Sequence, residues 1–311
     1  MAEMKEFKRD ERLTRNDELF DKFGARPVNP ELPLAEKPVH TYGSVALMST
    51  YGSDDMIVEA ARVSYGKGTT TVRDTKNLIR YLMRHKHTSP FEMAELTFYL
   101  RLPIFVVRQL IRHRTANVNE YSARYSQLSD DYYVPTVAAL AKQSTDNKQG
   151  RGEPLTEDEA GTVQQLFVDA QETCLRTYHD LLEKYGVARE IARVPTSVGM
   201  YSEMYWKCDL HNFMHFLKLR LDAHAQQEIR DFADAMYELA RPYFRHSFQA
   251  FEDYNNQAYT LSALEIEMLK ETLGQFRAEL HAKQWPTNSY GMSSREYSDF
   301  CHFLDTLVAG A

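Results

Sequence analysis

Cysteine is scarce in this chain. Only three occur, Cys174, Cys208 and Cys301, with neither the CxxC spacing of a zinc or redox motif nor the even count of a disulfide framework. A reducing, cytoplasmic setting is the expectation. Long apolar runs are also missing. Glu3, Lys5, Glu6, Lys8 and Arg9 crowd the N-terminus, where a secretory signal would carry an apolar stretch, and nothing approaches the roughly 20 apolar residues of a membrane-spanning helix. Positive charge is in deficit: 37 Lys and Arg stand against 44 Asp and Glu, a net charge of -7. That background repels phosphate polymers, so broad nucleic-acid binding is disfavoured without a strongly segregated basic face. No internal repeat is visible, which disfavours a solenoid or propeller.

What is present is the composition of an ordinary globular chain, 43% hydrophobic and 26% charged over 311 residues, enough to bury a sizeable core. Residues 1–38 are polar and carry Pro27, Pro30, Pro33 and Pro38, a spacing that suits an extended arm. A first strand is expected from Val39 to Thr50, a short helix capped by Asp54 through Arg62, and helical spacing over Thr71–Lys86 before a turn at Thr88-Ser89-Pro90. From Ala94 to Leu100 apolar and polar residues alternate as in a half-buried strand. Pro103 suits the first turn of a helix running toward Arg112. The polar stretch Lys142–Glu153 reads as an exposed loop.

Thr156 with Glu159 forms a capping-box signature. Behind it Val163, Leu166, Phe167, Ala170, Cys174, Tyr178, Leu181, Leu182 and Tyr185 mark one apolar stripe, so a long packed helix ending near Gly186 is expected. A strand over Met200–Lys207, a helix capped by Asp209 through Arg220, and helices over Ala223–Ala240 and Pro242–Tyr254 follow. Ser262 and Glu265 mark one more capped helix; the tail beyond it has aromatic residues without an assignable pattern. The fold class is α+β, a mixed sheet packed with long helices. One catalytic domain at 39–258 is expected, between the arm at 1–38 and a helical C-terminal extension at 259–311.

The segment Arg108–Ser126 concentrates Arg108, Arg112, Arg114 and Arg124 against Glu120 alone, four positive charges against one negative in an acidic protein. Arg108 and Arg112, four apart, would share a helix face, with Gln109 beside them and Ser122, Tyr125 and Ser126 supplying hydroxyls. Guanidinium forks match phosphate oxygens bidentately, so the segment is suited to cradle a phosphate. A solvated basic stripe is the plainer alternative. Against it, the arginines alternate with Ile104, Phe105, Val106, Val107, Leu110 and Ile111, which require close packing. Thr115–Tyr121, short and polar with Asn117 and Asn119, reads as a binding loop.

Arg112-His113-Arg114, seven residues and then Ser122 resembles the RHR-x7-S signature of the flavin-dependent thymidylate synthases. His87-Thr88-Ser89-Pro90-Phe91-Glu92 resembles that family's HxTPFE-like element, with serine where many relatives have threonine. Ala60-Ala61-Arg62-Val63-Ser64 resembles an early element, and Leu219-Arg220 followed by His224-Ala225-Gln226 a later one. The resemblance spans about Val39 to Tyr254. It implies a homotetramer with active sites at subunit interfaces, holding FAD beside dUMP, with NADPH and 5,10-methylenetetrahydrofolate as co-substrates. By the same resemblance Arg112, His113 and Arg114 would contact FAD with Ser89, Glu120 and His87. Gln109, Arg112, Glu120, Ser122, Ala123, Arg124 and Arg193 would hold dUMP, chiefly its phosphate. Arg220 would serve the uracil edge as the catalytic cation. Asp209, His211 and His215 align with a flavin-contact element in which some relatives carry asparagine and arginine; Asp209 reads equally as a helix N-cap.

Two other classes compete. His211 and His215 stand four apart, His224 follows, and His85 and His87 cluster, which is weak zinc-site spacing; Asn212 stands where HExxH has its glutamate, and no metal is expected. A nucleic-acid module would rest on the basic segment with Tyr121 and Tyr125 for stacking, but one short basic region in an acidic chain fits a single nucleotide better. Ser122 between arginines donates a hydrogen bond more readily than it attacks, and no cysteine has the setting of a catalytic thiolate.

Overall fold

The computed structural model describes residues 33–63, 74–145, 148–270 and 292–309. Pro27 and Pro30 of the expected arm, Ser64, and Thr71 at the start of an expected helix lie outside them. Five strands form one sheet: β1 (Ala35–Val39), β2 (Gly43–Tyr51), β3 (Glu95–Pro103), β4 (Asn117–Glu120) and β7 (Tyr201–Asp209), in the order β1-β2-β3-β7-β4. The α+β class holds, and the pairings described in this sheet are antiparallel rather than mixed. β1 crosses residue 38, so the expected arm joins the sheet before it ends.

Strand β3 shows why the sheet has one dry face. Leu96, Phe98, Leu100 and Leu102 are buried, and their partners across β7 are Cys208, Trp206, Met204 and Ser202, all buried too. The opposite face carries Tyr99 against Tyr205 at 5.2 Å and the ion pair of Arg101 with Glu203 at 3.3 Å. A side-chain period of two thus separates core from solvent along the whole strand.

The dry face is covered by helices. α6 (Leu210–Arg220), α7 (Gln227–Ala240) and α8 (Arg245–Phe251) supply buried aromatic rings, while α1 (Asp54–Arg62) and α2 (Thr75–Arg84) supply buried aliphatic side chains. Phe213 of α6 lies 5.4 Å from Phe98 and 6.1 Å from Phe248, and Phe216 lies 5.5 Å from Trp206. Each such ring stabilises the fold by about 2–3 kcal/mol through burial, which fixes α6 firmly across β3 and β7.

Several boundaries differ from the sequence reading. The first strand is two, β1 and β2. Ser53, not Asp54, caps α1, its hydroxyl accepting from the Met56 amide at 3.3 Å. The helix after β3, α3 (Ile104–Leu110), stops short of Arg112, because the Arg112 amide turns back to the Gln109 carbonyl at 3.3 Å; Arg108 and Arg112 therefore do not share a helix face. Thr115–Tyr121 is not a loop but contains β4, paired with β7. Lys142–Glu153 is not a plain loop either: β5 (Ala141–Gln143) and β6 (Arg151–Pro154) pair as a two-stranded sheet.

The capping box at Thr156 and Glu159 is present and opens the 27-residue α4 (Glu157–Glu183). A four-residue helix, α5 (Arg189–Ala192), follows. The α4 stripe is only partly packed within one chain: Tyr178 is buried, whereas Leu166 is 63% exposed and Phe167 40%. The chain divides into compact units at Phe251/Glu252. In the second unit, Ser262 and Glu265 cap the helical residues 263–270 as expected. The unassigned tail contains α9 (Ser294–Ala309), opened by a reciprocal Ser293 and Glu296 cap.

Candidate active site

Three stretches of backbone bring the expected site residues to their places. The first is the turn after α2. The amide of Lys86 donates to Met83 and that of His87 to Leu82, at 3.1 and 2.9 Å, which is a Schellman closure of the helix end with Lys86 left-handed at φ 57°. His87 follows as an exposed ring, stacked at 6.0 Å on Tyr81, and Ser89 opens the 3-10 turn Ser89–Met93.

The second is the end of α3 and the turn beyond it. Arg108, Arg112 and Arg114 are exposed, and among the described residues their guanidiniums have no acidic or hydrogen-bonding partner. Three unpaired cations within seven residues create a local positive potential that attracts anions. This donor set fits a diphosphate, the charged part of a flavin dinucleotide.

The third is α6, which carries an expected site residue at each end. Asp209 is its N-cap: one carboxylate oxygen accepts from the Asn212 amide at 2.8 Å, the other from the Asn212 side chain at 2.7 Å. Both oxygens are thus committed, as the capping alternative required. The Leu210 amide reaches the Ala94 carbonyl at 2.8 Å, so this end of α6 sits beside the strand that follows the Ser89 turn. Arg220 closes the far end, about 16 Å along the axis from eleven residues of helical rise. Its Nε donates to His113 Nε2 at 3.1 Å, and a terminal nitrogen lies 3.5 Å from the Gln109 carbonyl. His215, on the same helix, faces the His113 ring at 6.4 Å; His211 is half-buried.

Gln109, His113, His215 and Arg220 are therefore gathered in one place. His113 is held neutral there, its pKa lowered to about 4 by burial first and then by the Arg220 and His215 charges. Burial also lowers the pKa of Arg220. Glu120 stands apart on β4, its carboxylate accepting from the Ser202 hydroxyl at 2.7 Å. Ser122 accepts from the Arg124 amide at 3.3 Å, Ala123 is buried between them, and Arg124 pairs loosely with Glu190 at 3.3 Å. Arg193 caps the short α5, its side chain exposed. Among the described residues no hydrogen bond or ion pair joins the Arg124 and Arg193 group to the Gln109 and Arg220 group.

Sequence reasoning missed several partners. Ser202 and Glu190 lie 82 and 66 positions away from the residues they meet, and no local motif marks either. Gln226 belongs to a recognised element but gained no role there, yet its Oε1 accepts from Gln109 Nε2 at 2.6 Å. Behind it stand Glu228, Tyr133 and Arg151, none of which any local motif marks.

Known proteins resemble this chain in sequence and in backbone. A family model described as thymidylate synthase complementing protein matches residues 46–244. The flavin-dependent thymidylate synthase of Dictyostelium discoideum is 49% identical over 245 residues, covering 76% of this chain and 80% of that relative. That of Ehrlichia ruminantium (strain Gardel) is 48% identical over 246 residues, covering 78% and 82%. Among solved structures, a UMP/dUMP methylase, PolB from Streptomyces cacaoi bound with 5-Br UMP, superposes with a TM-score of 0.65 at 36% identity, covering 70% of this chain and 98% of that one. Likeness of this extent, in sequence and backbone together, is that of common descent, and the chain belongs to the flavin-dependent thymidylate synthases.

Proposed function

We propose that the chain methylates dUMP to dTMP with FAD, 5,10-methylenetetrahydrofolate and NADPH, through the site built around Arg112 and Arg220. The observation that carries the reading is the set of three exposed, unpaired guanidiniums, Arg108, Arg112 and Arg114, next to the His113 and Arg220 pair. Arg112 and Arg114 would neutralise the cofactor diphosphate, with His87, Ser89, His113, Glu120, His211 and His215 around the flavin; Asp209 supports that wall as a helix cap. Bound FAD, reduced by NADPH, supplies the hydride that completes the new methyl group.

The protein's own residues orient and polarise. Ser122, Ala123, Arg124 and Arg193 would hold the nucleotide at its phosphate end, and Gln109, Arg112 and Glu120 would complete the dUMP site. Arg220, fixed by its bond to His113, would present its remaining N–H groups to the uracil edge, where a positive charge stabilises negative charge developing on the ring. The catalytic unit is the segment 39–258, extended by residues 35–38 of β1, with the arm and the C-terminal helices as extensions.

The active protein would be a homotetramer in the cytoplasm. The exposed Leu166 and Phe167 on α4 support self-association, and the separation of the Arg124 group from the Arg220 group supports a site completed by a second copy. Among the described residues no helix is long and apolar enough to cross a membrane. The test is direct: purified protein supplied with FAD, dUMP, methylenetetrahydrofolate and NADPH should form dTMP, and should lose that activity when dUMP or FAD is withheld. A flavin-free protein that forms no dTMP when FAD is added would reject the reading.

A further inference from the structure

Glu228 is 3% exposed, and every hydrogen bond to its side chain comes from a donor. One carboxylate oxygen accepts from the Tyr133 hydroxyl at 2.8 Å and an Arg151 terminal nitrogen at 2.6 Å; the other accepts from Gln226 Nε2 at 2.8 Å. Burial alone would raise its pKa, but the bonds from Tyr133, its own backbone amide, Gln226 and Arg151 outweigh that and leave it lowered. Glu228 is an ionised carboxylate, and an ionised carboxylate only accepts.

That fact fixes the direction of two amides in turn. Gln226 must present its NH2 to Glu228, which turns its oxygen away. The oxygen lies 2.6 Å from Gln109 Nε2, so Gln109 must in turn present its NH2 to Gln226. The reverse orientation of Gln109 would set two oxygens against each other with no proton between them, a repulsion that an amide avoids by rotating. Gln109 Oε1 is left on the free side, with no partner among the described residues.

We propose that Gln226 and Glu228 are positioning residues that hold the Gln109 amide with its oxygen outward, so that Gln109 accepts a hydrogen bond from a donor group of the nucleotide. This rests on the reading of the site as the dUMP site. At neutral pH the phosphate of dUMP offers acceptors, which an outward oxygen repels, whereas the 3′-hydroxyl and the uracil N3–H are donors. Gln109 thus reads the sugar or the base, and not the phosphate with which the arginines are suited to deal.

The experiment uses the FAD-loaded full chain and measures dUMP binding by calorimetry together with KM and kcat. It compares the native chain with Gln226→Leu, with Glu228→Gln, and with the exchanged pair Gln226→Glu plus Glu228→Gln. The exchange moves the carboxylate two positions along the chain and restores the polarity, so that the Gln109 NH2 again meets an acceptor. Gln226→Leu should weaken dUMP roughly five- to tenfold in KM, the worth of one hydrogen bond, with kcat within about twofold; the exchanged pair should recover most of the loss. The same variants are titrated with 2′,3′-dideoxyuridine 5′-monophosphate and with N3-methyl-dUMP. The analogue that lacks the donor met by Gln109 should bind the native chain and Gln226→Leu equally, which identifies that donor. Equal losses for dUMP and both analogues, or an exchanged pair no better than Glu228→Gln alone, would overturn the proposal while leaving the dUMP site standing. Should Glu228→Gln and the exchanged pair fail to fold, Gln226→Leu with the two analogues decides it, since Tyr133 and Arg151 still satisfy Glu228. Failure of the native FAD-loaded chain to bind dUMP would remove the site reading itself and this inference with it.

Discussion

Arg220 Nε lies 3.1 Å from His113 Nε2 and donates to it. A ring nitrogen that accepts carries no proton, so the His113 proton sits on Nδ1 and the ring is neutral. The same contact leaves Arg220 as the fixed cation of the pair, since guanidinium is the harder of the two to deprotonate.

His113 should therefore stay neutral well below the ordinary histidine range. Its pKa is lowered to about 4 from 6.5, so between these values the unfolded chain binds more protons than the folded one. The group is without effect above pH 6.5 and lowers stability as pH falls through that window. Histidine NMR should show His113 unprotonated at pH 5.5. Denaturant midpoints of His113→Gln should fall less than those of the native chain between pH 7 and 5; an equal fall in both would place the pH dependence elsewhere.

Arg114 is exposed and without a partner among the described residues, so Arg114→Ala should change stability by no more than about 0.5 kcal/mol. Flavin content should nevertheless drop severalfold. Full flavin occupancy in that variant would contradict the proposed diphosphate contact.

Arg124 and Arg220 should fail differently. Arg124→Ala removes the proposed phosphate contact and should mainly raise KM for dUMP, whereas Arg220→Ala should also slow the methylation step and lower kcat. Its loss further frees His113, whose pKa should rise toward the ordinary range once the neighbouring cation is gone. Similar small effects in both variants would reject the division of roles.

None of the three cysteines should be needed for chemistry. Cys208 is buried on the dry face of β7, its thiol pushed up by burial first and then by Asp209 and Glu95, the opposite of what a thiolate nucleophile requires. A chain with all three replaced by alanine should still make dTMP, at a stability cost of about 1–2 kcal/mol from the Cys208 site. Loss of turnover in a folded, flavin-loaded triple variant, regained with one cysteine restored, would overturn this.

What the sequence disclosed was what local chemistry determines. The Thr156 and Glu159 cap, the alternation of β3 and the Asp209 cap each depend on residues within a few positions, and the arginine triplet carries its own spacing. What stayed hidden depends on distant partners. β4 has four exposed residues, so no hydrophobic alternation marks it; only backbone pairing with β7 makes it a strand. The β5 and β6 pair is equally polar, and its Arg151 is anchored by Glu228, 77 positions on. The α4 stripe was visible as apolar, but periodicity cannot say whether a helix face meets its own chain or another. The Gln109 to Glu228 relay was invisible because each member is an ordinary polar residue until the fold brings them together.

The Schellman closure after α2 has a bearing beyond its few bonds. The His87 backbone is positioned by amides donating to Leu82 and Met83, not by anything its imidazole does. Location and chemistry are therefore separable at this position: the ring can be exchanged for another side chain while the chain path that carries it is kept. Such uncoupling lets a lineage sample new side chains at the proposed flavin contact without refolding the loop each time.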